Sequence, residues 1–440
     1  MRVDEFQSWG RVQSVRSPCL DLWWLPDRMP LDAATKRLAY GLGRSYGDSC
    51  LLSGGVMIRT AGLNRFISFD SERGVLRAEA GVTLSDILQL VVPQGWFLPM
   101  TPGTRFVTLG GAVANDIHGK NHHRAGTIGC HVRRLRLLRS DGSSLECGPG
   151  ENDRAFRAAI GGLGLTGLIL WVEIQLVRTP SAWLDVELIP FTGVKEFMVL
   201  SDESAKAWEH TVAWFDATAR GSGFARGIYI RGNFRADGLG DRPPRKVHRP
   251  PGLRVPFLLP NWTLNSLSVK AFNFLYFHRV PKSGRKLIQH YEPFFYPLDA
   301  VDGWSKIYGR RGFFQYQSVT PEEAGVQPLE EMARAIALSG EASFLAVLKT
   351  FGPRPSPGML SFPKPGITLA LDFPNRGAST LRLFDTLDAI VRAAKGRLYP
   401  GKDSRMSAAD FRAGYPALTE FLPEVDPAFS SDFWKRVAPV

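Results

Sequence analysis

Hydrophobic and polar positions fall into two textures along the chain. Residues 1–178 carry short apolar runs broken by glycine: VMIRT (56–60), LRAEAGV (76–82), LRLLRS (135–140) and LTGLILWVEIQLV (165–177). Runs of this length between turn residues predict strands. LSDILQLVVPQGW (84–96) instead spaces its apolar residues three and four apart, which predicts a short helix stopped near Pro93 and Gly95. The pattern is α+β, without the regular βαβ alternation of a parallel sheet.

After Pro180 the strand-like segments lengthen: WLDVELIPF (183–191), HTVAWFDAT (210–218), FARGIYIRGNF (224–234), FFQYQSV (313–319), SFLAVLKTF (343–351) and GITLALDF (366–373). Helical stretches separate them, so an antiparallel-sheet domain is expected. STLRLFDTLDAIVRAAKG (379–396) predicts a closing helix with Gly396 as its C-cap. The final residues, beginning RLYPGKDSRMS, do not read as a free tail. The expected division is a first domain over 1–178, a second over 179–396, and a segment 397–440 that returns to the first.

Length agrees with two domains, since 440 residues exceed one small core. A net charge of +12 favours anionic partners, although no RNP, helix-turn-helix or zinc pattern supports nucleic acid. Cys19, Cys50, Cys130 and Cys147 form no CxxC pair, which predicts a reduced-compartment protein without a disulfide framework. The N-terminus lacks an apolar signal core, and no run of 18 apolar residues predicts a membrane span. The location expected is cytoplasmic, with peripheral contact at the inner membrane. That contact is placed on DRPPRKVHRPPGLRVPFLLPNW (241–262), where a basic stretch precedes an apolar one, a pattern equally open to a plain surface loop.

Candidate chemistry concentrates in glycine-rich segments. GLGRSYGD (41–48) approaches a dinucleotide fingerprint, but DSCLLSGG after it is a poor helix, so a Rossmann site is not expected. A glycine loop whose backbone approaches a pyrophosphate remains consistent. PGTRFVTLGGAVANDIHGKNHHRAGTIG (102–129) crowds three glycine-bearing turns together, and GGLGLTGLI (161–169) repeats the theme. His118 and His122 invite a metal reading. Gly119 and Asn121 argue against the helix that would align them, and no Cys or carboxylate completes a ligand set, so no metal is expected.

GLGRSYGD, PGTR-VT-GGA---DIHGKNHH-AG, GG-GLTG and RLY--KDSR, in this order, resemble the decaprenylphosphoryl-β-D-ribose 2′-oxidase family, within the vanillyl-alcohol-oxidase-like FAD flavoproteins. The resemblance runs from about Trp9 to Asp432. It implies a two-domain PCMH-type FAD-binding fold with an antiparallel-sheet substrate domain. The FAD-binding part would be 1–178 with 397–440, and the substrate domain 179–396. Gly43, Arg44, Ser45, Tyr46, Gly103, Thr104, Thr108, Gly110, Gly111 and Ala112 would lie along the FAD pyrophosphate. His118, Gly119 and Tyr399 would flank the isoalloxazine, and Gly167 and Ile169 would complete the cofactor site. Related sugar and alditol oxidases carry a flavin-linked His where this chain has Arg44, so the FAD is expected to be non-covalent.

For the substrate the resemblance implies Lys120, Trp214, Gln315, Gln317, Lys349 and Lys402, although Gln315 and Gln317 would share a strand face whatever they contact. His118, Tyr399 and Lys402 are the candidates for proton handling, unranked by sequence. Ala370 stands where some family members have Cys, and Thr368 where the pattern has Asn, so the pocket floor differs. The implied reaction is FAD-dependent oxidation of the 2′-hydroxyl of a polyprenyl-phosphoryl ribofuranose to a ketone, the first half of an epimerisation to an arabinose donor for cell-envelope polysaccharide. A short-chain reductase partner and a quinone or other electron acceptor are implied with it. The alternative is an FAD oxidase or dehydrogenase of another sugar or polyol.

Overall fold

In the computed structural model, which describes residues 1–236, 252–341 and 343–438, the glycine-broken half forms two larger sheets and a two-stranded pair of Trp96–Phe97 with Val177–Arg178. β1 (Arg2–Gln7), β2 (Ser14–Asp21), β3 (Arg37–Tyr40) and β4 (Val56–Arg59) order as β1-β2-β4-β3. β1 and β2 pair antiparallel, whereas β2 and β3 both run parallel to β4. β5 (Phe66–Asp70), β6 (Val75–Glu79), β7 (Val132–Leu138), β8 (Ser144–Cys147) and β9 (Leu168–Gln175) form an antiparallel sheet ordered β5-β6-β9-β7-β8. The apolar run of β9 takes the centre of that sheet and is buried from Leu168 to Val172.

The predicted helix covers Leu84–Val91. Thr83 caps it by accepting from the Asp86 N–H, and Asp86 accepts from the Thr83 N–H in return. It ends before Pro93, and Gly95 takes a left-handed φ of 76°.

The second texture builds an eight-stranded antiparallel sheet. Its strands are β10 (Trp183–Phe191), β11 (His210–Phe215), β12 (Gly227–Phe234), β13 (Arg285–His290), β14 (Phe313–Pro321), β15 (Ala346–Phe351), β16 (Gly366–Pro374) and β17 (Arg397–Leu398), in the order β13-β10-β12-β11-β15-β16-β14-β17. Alternation assigns its two faces different work. Leu348, Leu369, Leu371 and Tyr316 join a core with Phe197, Ile336, Leu383 and Leu387, which come from helices Val194–Ala207, Gln327–Ser339 and Ala378–Ala393.

The opposite face is polar at its centre. Gln315 pairs with Asp372, Gln317 with Ala370, Lys349 with Thr368, Val347 with Ala370 and Trp214 with Val347. Directly paired residues share a face, so all of these side chains lie on one side of the sheet.

One expected cap is corrected. The helix ends at Ala393, and the left-handed residue after it is Lys395 (φ 53°), not Gly396. Gly396 serves a close approach instead, because a Cβ there would sit 2.6 Å from the Val319 carbonyl on β14.

The last residues pack back on the first two sheets. The Arg37 N–H donates to Ala428 O at 2.9 Å, Ser430 N–H to Arg37 O at 3.0 Å, and Ser53 N–H to the Asp432 carboxylate at 2.9 Å. Among the described residues no helix is long and apolar enough to cross a membrane. Of the 241–262 segment, residues 241–251 lie outside the described residues.

Candidate active site

The glycine segments come together at one place. A Cβ on Gly41 would meet Thr108 Oγ1 at 2.5 Å, and Arg44 Nε donates to Phe106 O at 2.9 Å, so the loop 41–48 lies against 101–111. Gly43 holds φ at +60°, a region open to glycine at little cost. Backbone N–H groups of Gly43, Arg44, Ser45, Gly103 and Thr104 donate no hydrogen bond among the described residues. A loop with unspent N–H donors is an anion cradle.

Other expected cofactor residues do structural work. Thr108 caps the short helix Leu109–Ala114 and accepts from the Gly111 N–H at 3.3 Å. Gly110 packs on Ala80, just past the end of β6, where a Cβ would fall 2.7 Å from the Ala80 Cβ, and Ala112 is buried behind it. Gly167 and Ile169 lie at β9, beside Leu138 and Leu137, and the same strand bonds Ala80 through Leu170 O.

The C-terminal turn closes over the first loop. The Tyr46 N–H donates to Gly401 O at 3.1 Å, and a Cβ on Gly47 would lie 1.7 Å from Asp403 O, so only glycine admits this contact. Lys402 Nζ thereby comes to 4.0 Å from the centre of the Tyr46 ring. It has no hydrogen bond or ion pair among the described residues. Burial lowers its pKa, and the Asp372 carboxylate pulls the other way. Asp372 is itself raised by burial; Gln315 donates to one of its oxygens, and the other has no partner among the described residues.

His118 is buried and does not lie on a helix with His122. It bridges to Thr127, while His122 opens the single turn His122–Ala125. The Gln317 amide N–H donates to His118 Nε2 at 2.9 Å and reaches Thr368 Oγ1 at 3.3 Å. An amide nitrogen only donates, so His118 carries its proton on Nδ1. Burial, with Lys349, His122 and Lys402 nearby, holds it well below the usual imidazole range, hence neutral. Its Nδ1 and that of His122 are buried without partners among the described residues.

The Tyr399 hydroxyl donates to Asn115 O at 2.8 Å, and its ring stacks on Phe362 at 4.7 Å and approaches His118 at 5.5 Å. Burial raises the phenol pKa, so Tyr399 stays protonated and fixes the loop before His118. Lys349 Nζ donates to Gly119 O at 3.4 Å, and Lys120 Nζ to Phe294 O. Burial lowers both lysines to about 7, with Lys349 adding to the effect on Lys120 and Lys402 to that on Lys349. Trp214 spends its indole N–H on Phe344 O at 2.9 Å and packs on Tyr276, one step away from this centre. Among the described residues no cluster of His, Cys, Asp and Glu could hold a metal.

Asp372, Asn115 and Asp116 were not among the expected site residues. Asp372 had a sequence signal: it lies two and four positions beyond Ala370 and Thr368, on the same strand face. Asp116, buried at φ 40°, accepts from Ser356 Oγ and Ser361 Oγ, both at 2.5 Å, and from the Gly129 N–H. It locks the loop that carries His118, and only the folded chain brings those serines to it.

The arrangement fits a flavin: unspent backbone donors suit a pyrophosphate, and orphaned ring nitrogens and aromatic walls suit a flat heteroaromatic group. Residues 32–148 match the family model described as an FAD binding domain. Decaprenylphosphoryl-β-D-ribose oxidase of Mycolicibacterium smegmatis is 38% identical over 413 residues, which cover 91% of this chain and 88% of that protein. An uncharacterised protein of Streptomyces coelicolor is 32% identical over 373 residues, 81% of this chain and 100% of that protein. L-gulonolactone oxidase of Bos taurus is 29% identical over 223 residues, 48% of each chain. The chain belongs to the decaprenylphosphoryl-β-D-ribose oxidase family and is an FAD-dependent oxidoreductase acting on CH–OH groups.

Proposed function

We propose that the enzyme oxidises the 2′-hydroxyl of a polyprenyl-phosphoryl-β-D-ribofuranose to the 2′-ketone, with FAD bound non-covalently by residues 1–178 and 397–440 and substrate bound by residues 179–396. The observation that carries this reading is the grouping of Lys349 and Lys402 around the His118–Gln317 pair, with Lys120 beside Lys349, on the side of the sheet that meets the glycine loops. The nearby carboxylate, Asp372, is itself raised by burial. Such a site suits a sugar joined to a phosphodiester.

Bound FAD supplies the two-electron acceptor that a secondary alcohol needs to become a ketone. The chain must take the hydroxyl proton. Lys402 is suited to this because burial favours its neutral amine, which accepts a proton at near-neutral pH. His118, neutral and held by Gln317, keeps a donor at Nδ1 for a ligand acceptor. Tyr399 holds the loop and does not exchange its proton. Lys349 and Lys120 take the phosphodiester.

A short-chain reductase would consume the ketone, and a quinone would reoxidise the flavin; both readings rest on the family resemblance. The runner-up, a different sugar or polyol, is favoured by Thr368 and Ala370 at the pocket floor. Product analysis separates the two. Borodeuteride reduction after a single anaerobic turnover should place deuterium at C2′ of the lipid-linked sugar, and label at any other carbon would reject the assignment.

A further inference from the structure

The described chain from Leu253 to Leu275 leaves an unusual amount of apolar surface open. Leu253 is 69% exposed, Phe257 64%, Trp262 74%, Leu267 76%, Phe274 54% and Leu275 70%. The helix Ser266–His278 buries Val269 and Asn273 toward the protein and turns Leu267, Phe274 and Leu275 outward. Asn273 anchors it, donating to Asp216 Oδ1 at 2.9 Å and to Ser343 O at 3.2 Å. Isolated exposed apolar residues are ordinary, whereas three on one face of a helix, with three more in the segment leading into it, mark an interaction surface.

The charge around the group has one sign. Residues 252–291 contain six Lys or Arg and no Asp or Glu. Arg254 and Lys286 pair with Asp302 and Glu187, while Lys270, Lys282 and Arg285 form no ion pair among the described residues and are exposed. A second copy of the chain is disfavoured as occupant, because a two-fold contact would press cation on cation. An anionic lipid surface satisfies both halves of the pattern, with apolar side chains entering the headgroup boundary and cations meeting the phosphates. Trp262 suits that boundary, with an apolar ring and a polar N–H.

We propose that the Leu253–Arg285 face, centred on helix Ser266–His278, seats the enzyme on an anionic bilayer surface. This face shares residues 253–262 with the segment expected to meet the membrane and extends it through the helix Ser266–His278. The helix lies over the substrate side of the sheet: Phe272 packs on Phe344 at 5.6 Å and Tyr276 on Trp214 at 4.6 Å. Seated this way, the site would open beside the membrane that carries a prenyl chain. The inference rests on the lipid-linked reading for its purpose, though its test does not need the substrate.

The test is co-sedimentation of the FAD-loaded enzyme with vesicles of phosphatidylcholine alone and of phosphatidylcholine with phosphatidylglycerol. Binding at least on the order of tenfold stronger to the anionic vesicles is expected, because each cation near an anionic surface adds to the affinity. Leu267→Glu with Leu275→Glu should abolish it while flavin absorbance and melting temperature stay unchanged, since both side chains already face outward. Lys282→Glu with Arg285→Glu should remove the preference for anionic lipid. Equal sedimentation of wild type and Leu267→Glu/Leu275→Glu would overturn the proposal, as would a wild-type dimer that the same variant splits. Flavin reduction by a short-chain, water-soluble substrate analogue should survive in Leu267→Glu/Leu275→Glu. Loss of that reaction in the wild type would count against the lipid-sugar reading and leave the vesicle result standing.

Discussion

Gln317 and His118, 199 positions apart in sequence, meet at 2.9 Å, and the amide donor fixes the imidazole as the Nδ1–H tautomer. One residue comes from β14 of the eight-stranded sheet and the other from the glycine-rich loop, so this bond joins the two halves of the site. Gln317→Leu would leave His118 Nε2 buried without a donor and release the tautomer. A loss of about 1–3 kcal/mol in transition-state stabilisation is expected, roughly 5- to 150-fold in kcat/KM. Gln317→Glu, similar in shape but an acceptor, should fail to restore activity. Anaerobic stopped-flow reduction of the FAD-loaded variants checks both.

Lys402 is the residue expected to accept the hydroxyl proton. Lys402→Met should slow flavin reduction by roughly 10²–10⁴-fold with FAD retained. Lys402→Arg should not rescue it, because a guanidinium stays charged and cannot act as base. Equal reduction rates in wild type and Lys402→Met would remove it from this role.

Asp372 opposes the effect of burial on Lys402 by favouring its ammonium form. Asp372→Asn removes that influence, so the neutral amine persists to lower pH. The acid limb of the kcat/KM profile should then move toward lower pH, by up to about one unit for a single screened charge. A shift in the opposite direction would show that the carboxylate does not face the lysine.

Lys349 tests the electrostatics of the free enzyme. Its pKa is lowered from 10.5 to about 7 by burial. Between these values the unfolded chain holds a proton that the folded chain lacks, so the penalty on folding grows as pH falls from about 10.5 and is complete below about 7. Lys349→Met should therefore stabilise the fold at pH 6 by about 1–3 kcal/mol, read as a raised Tm, and lose that advantage toward pH 10.5. The same variant should weaken binding of the phosphodiester. Wild-type binding at pH 8 should take up a proton, measurable by calorimetry in buffers of different ionisation enthalpy.

Much of this arrangement was legible in the sequence because local rules governed it. The Thr83–Asp86 cap and the Pro93–Gly95 stop mark the first helix, and strand alternation places Gln315 and Gln317 on one face whatever else is known. The glycine loops and the lysines enter as candidates through the family motifs. Three things needed the folded chain. Gly396 resembles a C-cap, but packing against Val319 O decides its use and leaves Lys395 to take the left-handed turn. Asp116 is explained by Ser356 and Ser361, more than two hundred positions away. Tyr399, one of three unranked candidates for proton handling, shows its bond to Asn115 O only in the fold.

Arg44, at the position where related oxidases carry a flavin-linked His, stacks on Trp9 at 4.0 Å and donates to Phe106 O, and its guanidinium offers no nucleophile to a flavin. Acid precipitation of the yellow protein should leave all of the FAD in the supernatant and a colourless pellet. A yellow pellet would mean a covalent link elsewhere.

The most direct measurement is the absorbance of the bound FAD during anaerobic titration with polyprenyl-phosphoryl-ribose, with free ribose and alditols as controls. Bleaching by the lipid-linked sugar, and none by the free sugars at the same concentration, is the predicted result. Bleaching by free polyols alone, or no response to the lipid-linked sugar, would contradict a site built for a sugar on a phosphodiester.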